Sequence, residues 1–100
     1  LATNGVDKLY ISSVSQGLMV FDLLERQVIR GAGNGVSIPL NSGVDVDAEG
    51  RIYALESGTC GGGAAGKLHI LRPDYTEIRA VTVGHCALAV LVTEIPPLAP

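Results

Sequence analysis

The stretch SGVDVDAEGRIYALES, Ser42–Ser57, predicts two short strands joined by a tight turn. Val44–Asp47 alternates apolar and polar residues, which is the period of a strand with two unlike faces. Gly50 can take the positive φ that a hairpin turn often needs. Arg51–Leu55 then resumes a strand with a β-branched and an aromatic residue near its start. We therefore predict a β-hairpin at the centre of the chain.

The same alternation extends over most of the 100 residues, of which 47% are apolar, and this is enough for one small domain with a core. Helix signals are poor, and glycine is plentiful. Turn residues separate further predicted strands at Lys8–Val14, Leu18–Leu23, Gln27–Arg30, Lys67–Arg72, Thr76–Val83 and Ala87–Thr93. The pattern predicts an all-β protein.

An internal repeat organises these strands. Lys8-Leu9-Tyr10 matches Arg51-Ile52-Tyr53 at an offset of 43 residues, and the segment from Gly17 to Gly35 matches that from Gly66 to Gly84 at an offset of 49. The change of offset places an insertion in the glycine-rich loop between the two blocks. The repeat thus predicts two copies of a four-strand unit of roughly 40–45 residues, the length of a propeller blade.

With the strands of a blade labelled A to D from the centre outward, the repeat divides the chain into three parts. Residues 1–43 form a partial blade with strands B, C and D plus an A stub and a link, and residues 44–84 form a complete blade. Residues 85–100 supply the A strand of a further blade and a proline-rich tail. A propeller needs at least about four blades, so we predict that copies of this chain assemble, or that the chain is one piece of a larger propeller.

The quoted segments resemble known propeller repeats. KLYISSVSQGLMVFDLLERQVIR, residues 8–30, resembles the YVTN-type β-propeller repeat, and GVDVDAEGRIYALE with GKLHIL resembles the related NHL and SMP-30-like pattern. TVGHCALAV, residues 82–90, resembles the link between blades, with Cys86-Ala87 where the family commonly has proline. The resemblance implies the propeller fold, and for such a segment we expect a non-catalytic binding or scaffold unit, because propellers concentrate binding on loops at one face. The alternative that it implies is an enzyme part, either an SMP-30-like metal-dependent lactonase or hydrolase or a propeller subunit of an amine dehydrogenase.

The candidate ligand-face residues are Asn41, Asp45, Glu56 and His85. Propellers concentrate binding on loops at one face, and the loop Ser57–Gly66 belongs to that face. The lactonase resemblance implies acidic and amide metal ligands, for which Asp45, Glu56 and Asn41 are the only candidates, and none of them stands in a matching motif. Asp45 has the alternative role of a carboxylate paired with a backbone donor or an arginine. No metal, cofactor or catalytic residue is predicted.

Cys60 and Cys86 are the only cysteines. They lie in a B–C loop and a D–A link, which open on the same face of a blade. A disulfide would stabilise the fold by roughly 3–4 kcal/mol in the chain-entropy model and would place the protein in the periplasm or outside the cell. Two free thiols are the alternative. A thiol nucleophile is disfavoured, because His85, as the adjacent residue, points to the opposite face of the strand from Cys86.

Two glycine-rich segments resemble nucleotide-binding motifs but lack features that those motifs require. Gly61–Lys67 fits the start of a phosphate-binding loop, but Leu68 replaces the Ser or Thr that the motif requires, and no helix is predicted after it. Gly31–Gly35 precedes a strand rather than the helix of a dinucleotide site. We predict that both are loops, and that His69 is a histidine on a strand surface with no zinc-site spacing around it.

Charge and hydropathy exclude further classes. The net charge is −3 and no basic cluster occurs, so a nucleic-acid partner is not predicted. The longest apolar run, Ala87–Val92, is far too short to span a membrane. No charged segment followed by an apolar one opens the chain, so no signal peptide is predicted.

Overall fold

The computed structural model describes residues 1–61 and 63–92, and over these residues the chain is all-β with no helix. Eight strands follow one another along the chain: β1 Ala2–Thr3, β2 Lys8–Ser13, β3 Gly17–Asp22, β4 Gln27–Arg30, β5 Asn41–Val46, β6 Ile52–Glu56, β7 Lys67–Leu71 and β8 Glu77–Thr82. The predicted fold class is confirmed.

The strands form two four-stranded sheets in simple sequential order, β1 to β4 in sheet 1 and β5 to β8 in sheet 2. Every neighbouring pair is antiparallel. Short turns suffice for this order because each strand returns beside the one before it. Two such meanders in succession are consistent with two propeller-like blades.

The core lies between the two sheets, where β5 packs against the face of sheet 1. Sheet 1 contributes Tyr10, Leu18 and Val20; sheet 2 contributes Val44, Ile52, Ala54 and Leu71; and Ile38 joins them from the link between the sheets. At one border of this core the guanidinium of Arg30 lies 5.2 Å from the centre of the Tyr75 ring, a cation–π contact between β4 and the β7–β8 turn.

Asp47 stabilises the turn of the central hairpin through its hydrogen bonds. Its carboxylate accepts the backbone N–H groups of Glu49 and Arg51, the Nε–H of Arg51 at 2.6 Å and the hydroxyl of Tyr53 at 2.9 Å. Gly50, at φ 85°, completes the turn. Asn4 holds the equivalent β1–β2 turn, 43 residues earlier, by accepting the N–H groups of residues 6, 7 and 8.

Strand pairing confirms one predicted repeat offset and corrects part of the other. Ala2 pairs with Tyr10 as Asp45 pairs with Tyr53, which is the offset of 43. Val20 pairs with Tyr10, whereas Ile70 pairs with Tyr53, so β3 and β7 are related by 50 residues and not by 49. The offset of 49 holds for β4 and β8. The error arose because Gly17 and Gly66 look equivalent in sequence, although Gly66 precedes its strand.

The predicted strand Ala87–Thr93 is not formed over residues 87–92, since no described strand pairs with it. These residues instead run along β5. The N–H of Ala87 donates to the Ser57 carbonyl at 3.3 Å, and Ser42 Oγ donates to the Ala87 carbonyl at 2.7 Å. Thr93 and the proline-rich tail lie outside the described residues. The described part of the chain contains no helix that could span a membrane.

Candidate functional site

Asn41 begins β5 and is only 1% exposed. Its side-chain Nδ2 donates to the carbonyls of Gly43 and Leu55, each at 3.0 Å, where the β5–β6 register shifts. Its Oδ1 is buried without a hydrogen-bond partner among the described residues. Asn41 therefore fixes the start of the central hairpin.

Asp45 links β5 to the segment that follows β8. Its Oδ1 accepts the N–H of Val46 at 2.8 Å, and its Oδ2 accepts the N–H of Val92 at 2.7 Å. Both partners are backbone donors, which is the structural role that the sequence offered as the alternative to a ligand site. The Asp45 carboxylate thus supplies a hydrogen-bond acceptor to the backbone of residues 87–92, which lack the hydrogen bonds of a strand.

Glu56 belongs to a three-residue cluster that sequence reasoning missed. Its Oε1 lies 2.9 Å from Nε2 of His69, and the Nδ1 of the same ring lies 2.5 Å from Oε1 of Glu77. The three side chains come from the neighbouring strands β6, β7 and β8. His69 is not the surface histidine that was predicted, because its side chain is only 13% exposed. The signal that could have found the cluster is the strand register, which the sequence alone does not specify.

The electrostatics of this cluster favour the charged imidazolium. Burial of the ring lowers the pKa of His69, but the hydrogen bonds to Glu77 and Glu56 and their negative charges outweigh it, so that the pKa is raised from 6.5. His69 pairs with Ala54, a core residue, and so lies on the face of sheet 2 that packs against sheet 1. The cluster is therefore an ion-paired bridge across three strands.

Cys60 and Cys86 form a disulfide with a Cα–Cα distance of 4.5 Å. The sequence left open whether these cysteines form a disulfide or stay free thiols. The structure has the disulfide, which excludes a free thiol beside His85. The exposed His85 lies in the turn after β8. The bond ties the β6–β7 loop to the start of residues 87–92, so that it anchors the segment that runs along β5.

The glycine-rich loop before β7 is held by backbone contacts to the end of β8. Gly66 N–H donates to the Gly84 carbonyl at 3.1 Å, and Val83 N–H donates to the Gly66 carbonyl at 2.9 Å. Lys67 opens β7 directly, and no helix N-terminus follows. The described residues before β7, 61 and 63–66, form a loop, as predicted, and they lack the helix N-terminus of a phosphate site, whereas Gly62 lies outside the described residues.

Three of the four ligand-face candidates lie toward the same end of sheet 2. Asn41 and Glu56 are register partners there, and His85 follows β8 at that end, whereas Asp45 pairs with Tyr53 nearer the turn of the central hairpin. Within residues 1–61 and 63–92 no group of three or more His, Cys, Asp or Glu is arranged to hold a metal ion. A concave pocket of about 320 Å³ does lie on the loops of sheet 1, lined by Val14–Gly17, Gly33, Gly35 and Ser37–Pro39.

The larger unassigned surfaces are the outer faces of the two sheets. Open face 1, on sheet 1 opposite the core, consists of Leu9, Ile11, Met19, Phe21 and Val28, which are paired across β2, β3 and β4. A cavity of about 210 Å³ opens among them. Open face 2, on sheet 2, consists of Tyr53, Leu68, Ile70, Arg79 and Val81, and Leu55 on the same side is buried. Most of these side chains are apolar; Val28 and Val81 are exposed, and the other apolar members of the two faces are half-buried.

The chain was compared with family models, curated proteins and solved structures, and none of them matches it.

Proposed function

We propose that this chain is a non-catalytic β-propeller segment that acts as a binding or scaffold unit and is completed by further blades. The observation that carries the proposal is the pair of apolar open faces, one on each side of the two stacked sheets. Contiguous exposed apolar surface on a folded protein is characteristic of an interaction site. The resemblance to YVTN and NHL repeats supports the same assignment.

The contacts of the candidate site residues support a structural role rather than catalysis. Asn41 and Asp45 bind backbone groups, and Glu56 is ion-paired with His69. Binding is better assigned to the loop side of the blades, where the pocket beside Gly17 is lined largely by backbone and small residues. The disulfide supports a periplasmic or extracellular location, because such bonds persist in oxidising compartments.

A pair of lysine substitutions on one strand tests the proposal. Met19 lies on open face 1, whereas Val20, the next residue of β3, is buried in the core. We expect Met19→Lys to keep the circular dichroism and cooperative melting of the wild-type chain while reducing its mass in solution. Val20→Lys should abolish cooperative melting, because it buries an unpaired charge. An unchanged mass with retained fold would contradict the proposal, and Phe21→Lys on the same face replaces Met19→Lys if that variant does not fold. Met19→Leu is the conservative control and should behave as wild type.

A further inference from the structure

The repeat relates each open face to a face that is already packed in the core. Tyr53, Leu68, Ile70 and Arg79 of open face 2 are the equivalents of Tyr10, Leu18, Val20 and Arg30 on the core face of sheet 1. Leu9, Ile11 and Phe21 of open face 1 are likewise the equivalents of Ile52, Ala54 and Leu71 on the core face of sheet 2. The two open faces therefore reproduce the two halves of the internal interface.

The inner edge strands of the two sheets, β1 and β5, differ in length. β5 has six residues and pairs along the whole of β6, but β1 has two residues and pairs only with Leu9 and Tyr10. Among the described residues no strand pairs with Ile11, Ser12 and Ser13 on that side of β2. An edge with free N–H and C=O groups is a template for an added strand.

Residues 87–92 match the missing strand. They follow Cys86, a non-glycine residue at φ 55°, just as the six residues of β5 follow Leu40 at φ 48°. They also stack beside β5 at matching positions, since a Cβ on Gly43 would lie 3.3 Å from Cα of Ala89. In this alignment residues 87–90 correspond to residues 41–44 of β5, which have no equivalent in β1. Leu91 and Val92 correspond to the two residues of β1.

We infer that copies of this chain associate head to tail, with open face 2 of one copy against open face 1 of the next. Residues 87–92 of the first copy then pair as the inner strand along β2 of the second. This inference rests on the proposed function and names its partner as a second copy of the chain. The contact is heterologous, because the two surfaces are different, and repeated contacts of this kind close into a ring if the rotation permits.

A complementation experiment tests the head-to-tail arrangement. Met19→Lys blocks open face 1, and Ile70→Lys blocks open face 2, where Ile70 is the equivalent of the buried Val20. We expect each variant alone to stay at the mass of one chain, 10.3 kDa, and an equimolar mixture to form a species of twice that mass. If either variant alone still forms dimers, or if the mixture does not recombine while the wild type associates, the arrangement is wrong. Phe21→Lys and Val81→Lys replace a variant that fails to fold.

A proline substitution tests the strand pairing separately. Ala89→Pro removes a backbone N–H that the added strand would donate, whereas Ala89→Thr keeps it and favours a strand. We expect Ala89→Pro to weaken association at least about tenfold, a change of 1.4 kcal/mol, and Ala89→Thr to leave it unchanged. Equal association of both variants would overturn the pairing. A wild-type chain that never associates would instead contradict the proposed function itself, so the two failures are distinguishable.

Discussion

Tyr10 and Tyr53 occupy the same position of the repeat but lie in opposite environments. Tyr10 is 3% exposed between the two sheets, whereas Tyr53 is on open face 2 with its hydroxyl 2.9 Å from Oδ2 of Asp47. The difference follows from the stacking, since sheet 1 has a neighbouring sheet on that face, whereas among the described residues sheet 2 has only residues 87–92 running along its inner strand. One repeat position is therefore core in the first sheet and half-buried in the second.

This relationship predicts unequal effects of two matched substitutions. Tyr10→Ala should lower the free energy of unfolding by about 3–5 kcal/mol, as expected for truncation of a buried aromatic side chain. Tyr53→Ala should lower the free energy of unfolding of the dilute, single-chain species by less, because Tyr53 is only half-buried within one chain. Urea unfolding at low protein concentration measures both, and Tyr53→Phe isolates the contribution of the hydroxyl. Equal losses of unfolding free energy in the two alanine variants would show that open face 2 is already covered within one chain.

The Glu56–His69–Glu77 cluster predicts a pH-dependent stability. The folded-state pKa of His69 is raised above 6.5, so its contribution is fully present below the unfolded pKa and is lost as the pH rises through the folded value. The free energy of unfolding should therefore fall as the pH rises from about 6.5 through the folded-state pKa of His69. His69→Gln should flatten the fall. A fall of unchanged size in His69→Gln would assign the pH dependence to another group.

The disulfide predicts a large and local stabilisation. Its loop spans 26 residues, so the double variant Cys60→Ser, Cys86→Ser should lose about 3–4 kcal/mol of unfolding free energy in the chain-entropy model. The N–H groups of Ala87 and Val92 should also exchange with solvent faster, because the bond anchors their segment beside β5. Wild-type protein in reductant is the matched control and should lose a similar amount. Unchanged exchange at Ala87 would show that β5 alone holds the segment.

Substitution of Arg26 is expected to strengthen the head-to-tail contact between copies. Arg30 stacks on Tyr75 inside the chain, and its equivalent Arg79 would meet Arg26 of the next copy, which stands at the position of Tyr75. Both Arg26 and Tyr75 have positive φ, at 55° and 73°. Arg26→Tyr replaces a like charge by a ring and should tighten association several-fold, since an exposed cation–π pair contributes about 0.5–1 kcal/mol. Sedimentation equilibrium measures the change, and Arg26→Ala separates charge removal from ring stacking. Weaker association in Arg26→Tyr would contradict the alignment of the copies.

Much of the fold could be predicted from the sequence, because alternation and turn residues are local signals. The central hairpin and the two four-strand units are examples, whereas the sequence left open whether Cys60 and Cys86 form a disulfide or stay free. The parts that could not be predicted depend on contacts between distant segments. The one-residue error between β3 and β7 is a matter of register, and register also decides that His69 lies between two carboxylates, because a shift of one residue exchanges the faces of a strand. Residues 87–92 have the composition of a strand but no strand partner within the described residues.

The mass of the wild-type chain in solution tests the central claim most directly. Light scattering after size-exclusion chromatography, over a wide range of protein concentration, should give a species whose mass is a multiple of 10.3 kDa. The open faces and the edge of β2 would then be covered by other copies. A folded, soluble species of 10.3 kDa at every concentration would show that these surfaces need no partner, and it would contradict the account.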